Sequence, residues 1–383
     1  MSDYRFNSSG QFVLSNYGRC SAFSSFLPGI AGKYGVPAWC NYNNRGQAVC
    51  SFGVQDKNHA IMEFTAAHTA YQQVSRMGYR TFVRTDAARF EPFADGSGTM
   101  RVEPNVLHIS WNGCGVSVNV HYFILPGEPL GGLCRLVELE NKSQKELPVE
   151  VLDGMAALVP YGVDNAHLKN EANLSKAWMQ VEKHNSGCPL FRVRASMADG
   201  AKVTAVEGFN FCRAMDDRGT VLPIIVRPES VFAWDTSLQY PIRFFNEGLA
   251  GIKETDQIAS NLFPCCFVAW HGKLKREESL MLYELYGQSP SADLLDSLLH
   301  RIQTPEWFES KLSEARSLAT EVGGPAVCHT TDPVFDASVL QNQIDNVMRG
   351  GQPVRYGKHV TYTYSRKHGD PEREYNDFYM APE

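Results

Sequence analysis

The spacing of apolar residues changes once along this chain, and that change constrains the fold more than any other feature. From about Gln11 to Tyr286, short runs of alternating apolar and polar residues are separated by Gly, Asn, Asp and Pro. Val116–Tyr122 is the clearest run, and such alternation is typical of a half-buried strand. Many antiparallel strands with few helix signals predict a mainly β fold, built as a large antiparallel sandwich.

Turn residues lie where successive strands should be connected. The run Val106–Trp111 is followed by Asn112-Gly113, which predicts a tight hairpin leading into Val116–Tyr122. A second turn signal, Asn141-Lys142-Ser143, is flanked by two more strand-like runs. These turns favour strands that follow one another closely along the chain.

After Tyr286, apolar residues recur at helical spacing in three segments, and each segment is preceded by a cap or proline signal. The signals are Ser289-Pro290, Thr304-Pro305 and Asp332-Pro333. The apolar stripes that follow them are Leu294/Leu298/Ile302, Trp307/Phe308/Leu312 and Phe335/Val339/Ile344. The sequence therefore predicts helices within residues 290–350 and an irregular, Tyr-rich segment after them.

The length of 383 residues exceeds the size at which one hydrophobic core normally stops growing, roughly 250–300 residues. Together with the change of period, this predicts three regions. They are a β-sandwich domain at 1–288, a helical linker at 289–351 and a final segment at 352–383.

Composition and charge argue against several classes of function. The formal net charge is −6 and Lys and Arg form no block, so we expect no nucleic-acid partner. Met1–Gly10 is polar, and no run approaches ~18 apolar residues, so we expect a cytoplasmic protein without a membrane span. The ten cysteines lack CxxC spacing, which favours reduced, mostly buried thiols over zinc ligands. We expect no metal and no organic cofactor.

Three local patterns that could suggest chemistry do not match their motifs. Gly29–Lys33 is too short for a phosphate-binding loop, and Tyr34 stands where Ser or Thr should follow. No G-x-S-x-G occurs, so a hydrolase nucleophile is unsupported. His59 and Glu63 do not form a zinc-binding helix, because the residues between them favour a strand.

Two polar clusters are candidates for substrate binding. Arg45 and Gln47 lie in Asn43–Gln47 between apparent strands, where they could hold sugar hydroxyls or simply form a solvated turn. Arg366, His368 and Asp370 lie in a charged stretch that could contact phosphate or a sugar edge, or form a solvated loop. Sequence proximity alone identifies no catalytic residue.

Several segments resemble one family of enzymes. Phe23–Lys33, Asn43–Gln47 and Ser51–Val54 are similar to the N-terminal part of the cellobiose-phosphorylase-like glycoside phosphorylases, with the closest likeness to the β-1,3-oligoglucan branch. The similarity continues at Tyr79–Val83, Leu152–Gly154 and Tyr364–Asp370, and thus runs over most of the chain.

The resemblance implies a fold and a reaction. Such enzymes have a mutarotase-like β-supersandwich, a helical linker and an (α/α)₆ barrel. Inorganic phosphate is the co-substrate, and it attacks the anomeric carbon with inversion while an acid protonates the departing oxygen. The products from β-linked gluco-oligosaccharides include α-glucose 1-phosphate. Family members carry their catalytic groups in the barrel, and residues 352–383 would be only its beginning, so the resemblance transfers no catalytic residue to this chain.

Two classes of function follow from the resemblance, and a third is weaker. The chain is expected to be the inactive front part of a phosphorylase, as a fragment, split gene product or remnant. It would meet β-gluco-oligosaccharide and phosphate through a barrel, and form a homodimer or join a separate barrel chain. Alternatively, it is a stand-alone carbohydrate-binding or dimerisation scaffold. A mutarotase-like enzyme would require a His and a Glu facing each other on the concave sheet. Because the helices should leave apolar surface uncovered, we also expect self-association.

Overall fold

A computed structural model describes residues 4–27, 36–197, 201–252, 258–324, 327–348, 353–356, 359–365 and 375–380. The first nine strands are β1 (Tyr4–Phe6), β2 (Phe12–Ser15), β3 (Ser24–Leu27), β4 (Ala38–Asn43), β5 (Val49–Val54), β6 (Ala60–Met62), β7 (Tyr79–Thr85), β8 (Arg89–Phe90) and β9 (Thr99–Val102). The next nine are β10 (Leu107–Gly113), β11 (Val116–Ile124), β12 (Gly131–Asn141), β13 (Leu147–Met155), β14 (Met179–Lys183), β15 (Pro189–Val193), β16 (Phe209–Asp216), β17 (Ile224–Ile225) and β18 (Ala259–Ser260).

The remaining strands are β19 (Cys266–Leu274), β20 (Ser279–Ser289), β21 (Pro353–Tyr356), β22 (His359–Ser365) and β23 (Tyr375–Met380). The α-helices are α1 (Ala67–Met77), α2 (Asn165–Asn170), α3 (Ala172–Ser175), α4 (Pro228–Phe232), α5 (Ile242–Glu247), α6 (Ala292–Leu299), α7 (Glu306–Gly323) and α8 (Pro333–Met348). The predicted mainly β, antiparallel fold is confirmed.

The strands form four antiparallel sheets. The largest has the order β1-β2-β9-β10-β11-β12-β20-β16-β15-β14-β18. A five-stranded sheet has the order β17-β19-β13-β7-β8, and a four-stranded sheet has the order β3-β4-β5-β6. The main hydrophobic core contains residues of all three, including Val120, Val151 and Phe52. The eleven-stranded sheet thus packs against the two smaller sheets, which is the layering of a sandwich.

Helices cover the outer faces of the two layers. Phe123 and Leu285 point outward from the eleven-stranded sheet and pack with Leu298 of α6 and Phe308 of α7. On the other side, Phe82 of β7 packs with side chains of α4 and α5. Both sheets are therefore buried on two faces along part of their length, which explains strands such as β16 that are buried at every position.

The three C-terminal helices form where their caps and apolar stripes predict them, but most of their apolar surface is covered. The first two stripes lie against the eleven-stranded sheet, with Leu298, Ile302 and Phe308 fully buried. On α8, Ile344 is buried but Phe335 is 54% exposed. The sandwich therefore covers the stripes of α6 and α7, and the exposed apolar surface of these three helices lies on α8; the predicted self-association remains a prediction.

Other local predictions need correction. The β10–β11 turn lies at Cys114-Gly115, where both residues have positive φ, two residues beyond the predicted Asn112-Gly113. Five short helices, α1 to α5, interrupt the region predicted as strands. The segment predicted to be irregular contains the three-stranded sheet β21-β22-β23. The division into domains at 1–288, 289–351 and 352–383 remains a prediction.

No helix among the described residues is long and apolar enough to cross a membrane. All ten cysteines are described, no two of them are joined in a disulfide, and most are buried.

Candidate functional site

A long groove runs between the β1–β2–β9 edge of the largest sheet and helices α7 and α8. Its larger section has a volume of about 670 Å³ and its smaller section about 400 Å³. Both sections are lined by Gly10, Glu103, Pro104, Val327 and Leu340, so they form one continuous depression. A groove of this size is large enough for an extended small ligand.

Aromatic side chains form one wall of the groove. The β1–β2 hairpin places Phe6 opposite Phe12, with their ring centroids 5.7 Å apart. The Phe12 ring lies 5.6 Å from that of Phe23, which lies 6.1 Å from Tyr42 on β4. Phe12 and Phe23 are half-buried, because one side of each packs against the main core while the other borders the groove. These rings offer flat apolar surface of the kind that covers the apolar face of a pyranose.

A buried asparagine fixes the position of Phe23. The Asn44 side-chain oxygen accepts a hydrogen bond from the Phe23 backbone amide at 2.9 Å. Its amide nitrogen donates to the carbonyl oxygens of Tyr17 and Ser21 at 2.9 and 2.8 Å. All three bonds tie the segment before β3 to the loop between β4 and β5. The polar cluster at Asn43–Gln47 therefore shapes the aromatic wall from behind.

Charged groups line the floor where the two sections of the groove meet. The Arg316 guanidinium of α7 donates to both carboxylate oxygens of Glu103, at 2.8 and 3.1 Å. The side-chain amide of Gln11 donates to the same carboxylate at 2.9 Å. Glu103 is thus an ion-paired carboxylate with hydrogen bonds to both of its oxygens.

A second carboxylate of the groove is also engaged. Asp336, in the first turn of α8, accepts hydrogen bonds from the Thr330 backbone amide and hydroxyl, and from the Cys328 thiol at 3.3 Å. Desolvation raises the pKa of the Asp336 carboxyl, but these hydrogen bonds outweigh it and hold the pKa below its usual value. Asp336 therefore lacks the raised pKa that a general acid needs.

Arg45 lies near this region but faces inward. Its guanidinium donates to the carbonyl oxygens of Asn44 at 2.7 Å and Cys20 at 3.2 Å, and lies 5.8 Å from the centre of the Tyr71 ring. The side chain is half-buried and does not line the groove. Arg45 as a substrate contact remains a prediction.

Gln47 lies in the interior of the sandwich, where it is 2% exposed. Its amide nitrogen donates to Thr81 at 2.9 Å, and its oxygen accepts from Arg135 at 2.6 Å. Arg135 also forms a bidentate pair with Asp153, at 2.7 and 2.8 Å. Gln47 as a sugar contact remains a prediction, with its hydrogen bonds in this structure all internal. The other three candidates, Arg366, His368 and Asp370, lie outside the described residues.

The Arg135 network is closed to solvent. Arg135, Asp153 and Glu284 are each 0% exposed, and the Glu284 carboxylate lies 3.7 Å from the Arg135 guanidinium. Tyr286 donates to Glu284 at 2.9 Å. Burial and the nearby Asp153 raise the pKa of the Glu284 carboxyl well above its usual value. A raised carboxyl pKa can indicate catalysis, but a group without access to substrate supports the sandwich instead.

Two stacked histidines occupy the outer face of the eleven-stranded sheet. His108 and His121 are cross-strand partners on β10 and β11, with ring centroids 4.3 Å apart. Desolvation and the neighbouring His121 and Arg101 lower the pKa of His108 to about 3. Desolvation and Arg316 lower the pKa of His121 to about 4. Both rings are therefore neutral at physiological pH.

A mutarotase-like arrangement of His and Glu is not formed by these groups. Glu138, on the neighbouring strand, accepts hydrogen bonds from Asn119 at 3.0 Å and Ser279 at 3.0 Å. Glu103 is paired with Arg316. Among the described residues of this face, both carboxylates near the histidines are thus held by other partners.

The sequence alone did not identify Phe12, Phe23, Glu103 or Arg316 as residues of a binding site. Phe12 and Phe23 have the spacing of ordinary core residues, and the distance between residues 103 and 316 along the chain hides their contact. Across the described residues, no group of three or more His, Cys, Asp or Glu lies close enough to hold a metal ion.

Comparison with known proteins gives distant structural similarity. No known family and no curated protein matches this sequence. A solved polysaccharide lyase is similar over 69% of this chain, with 12% identity and a TM-score of 0.38. A bacterial glucoamylase complexed with acarbose is similar over 85%, with 8% identity and a TM-score of 0.43. A putative kojibiose phosphorylase from the human microbiome is similar over 91%, with 7% identity and a TM-score of 0.30. The chain spans 33%, 44% and 33% of these three chains.

Proposed function

We propose that this chain is the carbohydrate-binding β region of a glycoside phosphorylase that acts on β-linked gluco-oligosaccharides. In this proposal, the groove binds the oligosaccharide, and an (α/α)₆ barrel outside these residues performs phosphorolysis to α-glucose 1-phosphate. The observation that carries the proposal is the aromatic wall formed by the half-buried rings of Phe6, Phe12 and Phe23, which the buried Tyr42 ring supports.

The shape and chemistry of the groove support an elongated, neutral, hydroxyl-rich ligand. Its aromatic wall can cover the apolar faces of successive sugar rings. The opposite side carries Ser338 and Gln341 of α8. The Ser338 hydroxyl donates to the Val334 carbonyl oxygen at 2.8 Å and can accept from a sugar hydroxyl, while the Gln341 side-chain amide can both donate and accept. The floor carboxylate of Glu103 has its charge compensated by Arg316, so it can accept from a hydroxyl without demanding a cation.

The state of the carboxylates supports a binding role without catalysis. Inverting cleavage of a glycosidic bond needs a carboxylic acid that can protonate the leaving oxygen. Glu103 is ion-paired, and Asp336 has a lowered pKa. In this proposal, the general acid that protonates the leaving oxygen therefore belongs to the (α/α)₆ barrel, as the family resemblance implies.

Binding of β-gluco-oligosaccharides tests this proposal. We expect laminarioligosaccharides or cello-oligosaccharides to bind the purified chain in calorimetry. Phe12→Leu and Phe23→Leu should each weaken binding by roughly fivefold, through about 1 kcal/mol of lost ring contact. Leucine keeps apolar volume behind each ring, so circular dichroism should show an unchanged fold. The same samples, supplied with phosphate, should release no glucose 1-phosphate.

Matched controls make the result decisive. Trp234 is 80% exposed and lies outside the groove, so Trp234→Leu should leave binding unchanged. If the wild-type chain binds none of these sugars, or if Trp234→Leu weakens binding as much as Phe12→Leu, the groove is not the binding site. Release of glucose 1-phosphate at an enzymatic rate would show that the catalytic acid lies within this chain.

One observation favours the second candidate, a dimerisation scaffold. Val334 and Phe335 in the first turn of α8 are 45% and 54% exposed, and Val334 borders the groove. Exposed apolar residues at a groove rim are common at protein interfaces. The partner in this proposal is a second copy of this chain or a separate barrel chain.

A measurement of self-association distinguishes the dimerisation scaffold from the sugar-binding function. We expect light scattering at tens of micromolar to give a mass above that of one chain, and Phe335→Ser to return it to one chain. Ser338→Ala, on the same helix, serves as the control. A wild-type mass equal to one chain at these concentrations would rule out the homodimer.

A further inference from the structure

A separate cavity of about 190 Å³ lies between α1, the end of β6 and two loops. One loop contributes Ala156, Ala157 and Val159, and the other contributes Leu238, next to Pro228 at the start of α4. Most of the remaining lining is also apolar, and it includes the side chains of Met62, Val74, Met77 and Phe263. The cavity is partly open to solvent, so a ligand bound there would remove this apolar surface from water.

Three polar side chains of the lining have no internal partner. Glu63, Thr65 and Gln73 all border the cavity, and none forms a side-chain hydrogen bond with another described residue. All three are only half-buried, so their polar atoms are accessible from the cavity. A few converging polar groups in a mostly apolar pocket are typical of a small-molecule site.

One wall of the cavity is held rigidly. Arg80 is 2% exposed and donates to the carbonyl oxygen of Leu238 and, at 2.8 Å, to that of Gln239. The same guanidinium forms two hydrogen bonds of 2.7 Å with Glu91. The Leu238 backbone has a positive φ of 58°, a conformation that residues other than glycine rarely adopt without an energetic cost. These bonds fix the backbone at Leu238, and so the position of this cavity wall, before any ligand arrives.

The size of the cavity and its single carboxylate define the ligand class. An engineered apolar cavity of about 150 Å³ in another protein binds benzene, so about 190 Å³ suits one ring with a short substituent. Thioether sulfurs such as those of Met62 and Met77 make favourable contacts with aromatic rings. Burial raises the pKa of Glu63 above its usual value, and the nearby Lys169 offsets this only in part. Lys169 donates to the Phe64 carbonyl oxygen at 2.8 Å, which leaves the Glu63 carboxylate for the ligand.

We propose that this cavity binds a small one-ring amine, with its ring among Met62, Met77 and Phe263 and its ammonium group donating to Glu63. Thr65 and Gln73 orient the polar end of the ligand. The site is distinct from the aromatic groove and does not depend on the carbohydrate proposal.

Three isosteric probes test the ligand class. Benzylamine is expected to bind and raise the melting temperature of the chain, since ligand binding stabilises the folded state by mass action. Benzyl alcohol, of equal size but neutral, should bind on the order of tenfold more weakly, because it loses the charge-assisted bond. Benzoate should not bind. Equal affinity for benzylamine and benzoate, or no binding of any probe at millimolar concentration, would overturn the proposal.

Variants locate the site. Glu63→Gln should weaken the binding of benzylamine by on the order of tenfold, and the affinity for benzyl alcohol should stay within about threefold of wild type. Ala157→Leu fills part of the cavity and should abolish binding of both benzylamine and benzyl alcohol. If Ala157→Leu folds poorly, the milder Glu63→Gln still tests the site. Glu277→Gln, on an exposed carboxylate far from the cavity, should change nothing. If Glu63→Gln weakens the binding of both probes equally, the ammonium group does not contact Glu63 and the proposed amine site is wrong.

Discussion

Replacing Arg135 with methionine is expected to lower the free energy of unfolding by about 3–5 kcal/mol, measured by urea denaturation at pH 7. The guanidinium holds Asp153 through two hydrogen bonds, and both side chains are completely buried. Methionine fills much of the same space but leaves the Asp153 carboxylate without its counter-ion. Removing one partner of a buried pair costs far more than the pair contributes, because the remaining charge has lost its water.

A second ion pair, which shares strand β13 with the first, provides the control for Arg135→Met. Arg84 of β7 and Glu150 of β13 are 2.6 Å apart, but their side chains are 28% and 25% exposed. Arg84→Met should therefore cost no more than about 1 kcal/mol. Combining Arg135→Met with Asp153→Leu should recover part of the loss, because no unpaired charge then remains. Equal, small effects of Arg135→Met and Arg84→Met would show that water reaches Arg135 and that the network is not closed.

The stacked histidines are expected to make the folded state less stable as pH falls from about 6.5 towards 4. Their folded-state pKa values of about 3 and about 4 lie below the unfolded value of about 6.5. Below pH 6.5 the unfolded chain therefore binds protons that the folded chain does not, and stability is lost as pH falls. At pH 5 this amounts to about 1–2 kcal/mol for each histidine.

A difference measurement isolates this effect, because other groups titrate in the same range. The raised pKa of Glu284 has the opposite sign, since the folded chain keeps a proton there that the unfolded chain releases. Urea midpoints should be compared at pH 7.5 and pH 5 for wild type and for His108→Gln/His121→Gln. The double variant is expected to lose about 2–4 kcal/mol less stability between these pH values than wild type. His184→Gln, far from the stack, should follow wild type. Parallel curves for wild type and the double variant would contradict the lowered pKa values.

The parts of the fold that could be predicted from the sequence are those set by neighbouring residues. Alternation over Val116–Tyr122 gives β11 almost to the residue, and the caps before α7 and α8 give their first turns. The position of the β10–β11 turn could not be predicted in the same way. Asn112-Gly113 is the stronger turn signal, but pairing Trp111 with Val118 keeps both in the core and moves the turn to Cys114-Gly115.

Other features depend on which surfaces meet. The strands on either side of Asn141–Ser143 follow one another closely, yet β12 joins the eleven-stranded sheet and β13 the five-stranded sheet. In β22, threonine and tyrosine alternate over 361–364, a strand pattern that a search for aliphatic periodicity overlooks.

Most of the candidate site could not be predicted for the same reason. Asn44 was correctly placed between two strands, but its role in holding Phe23 depends on a contact across 21 residues of sequence. The pairing of Glu103 with Arg316 joins groups 213 positions apart. The sequence around Gln47 is typical of an exposed turn, and only the packing of β7, β12 and β13 around this residue makes it part of the interior.

The position of β20 in the largest sheet has a consequence for synthesis on the ribosome. This strand pairs with β12 on one side and β16 on the other, although both neighbours are made much earlier. Until residue 289 has emerged, β12 and β16 each keep an open edge, and the strands on either side can form only two half-sheets. Open central edges are the surfaces through which nascent β proteins aggregate. The same strand delivers Glu284 to Arg135 and Asp153, so the largest sheet and the buried charge network are completed in a single late step.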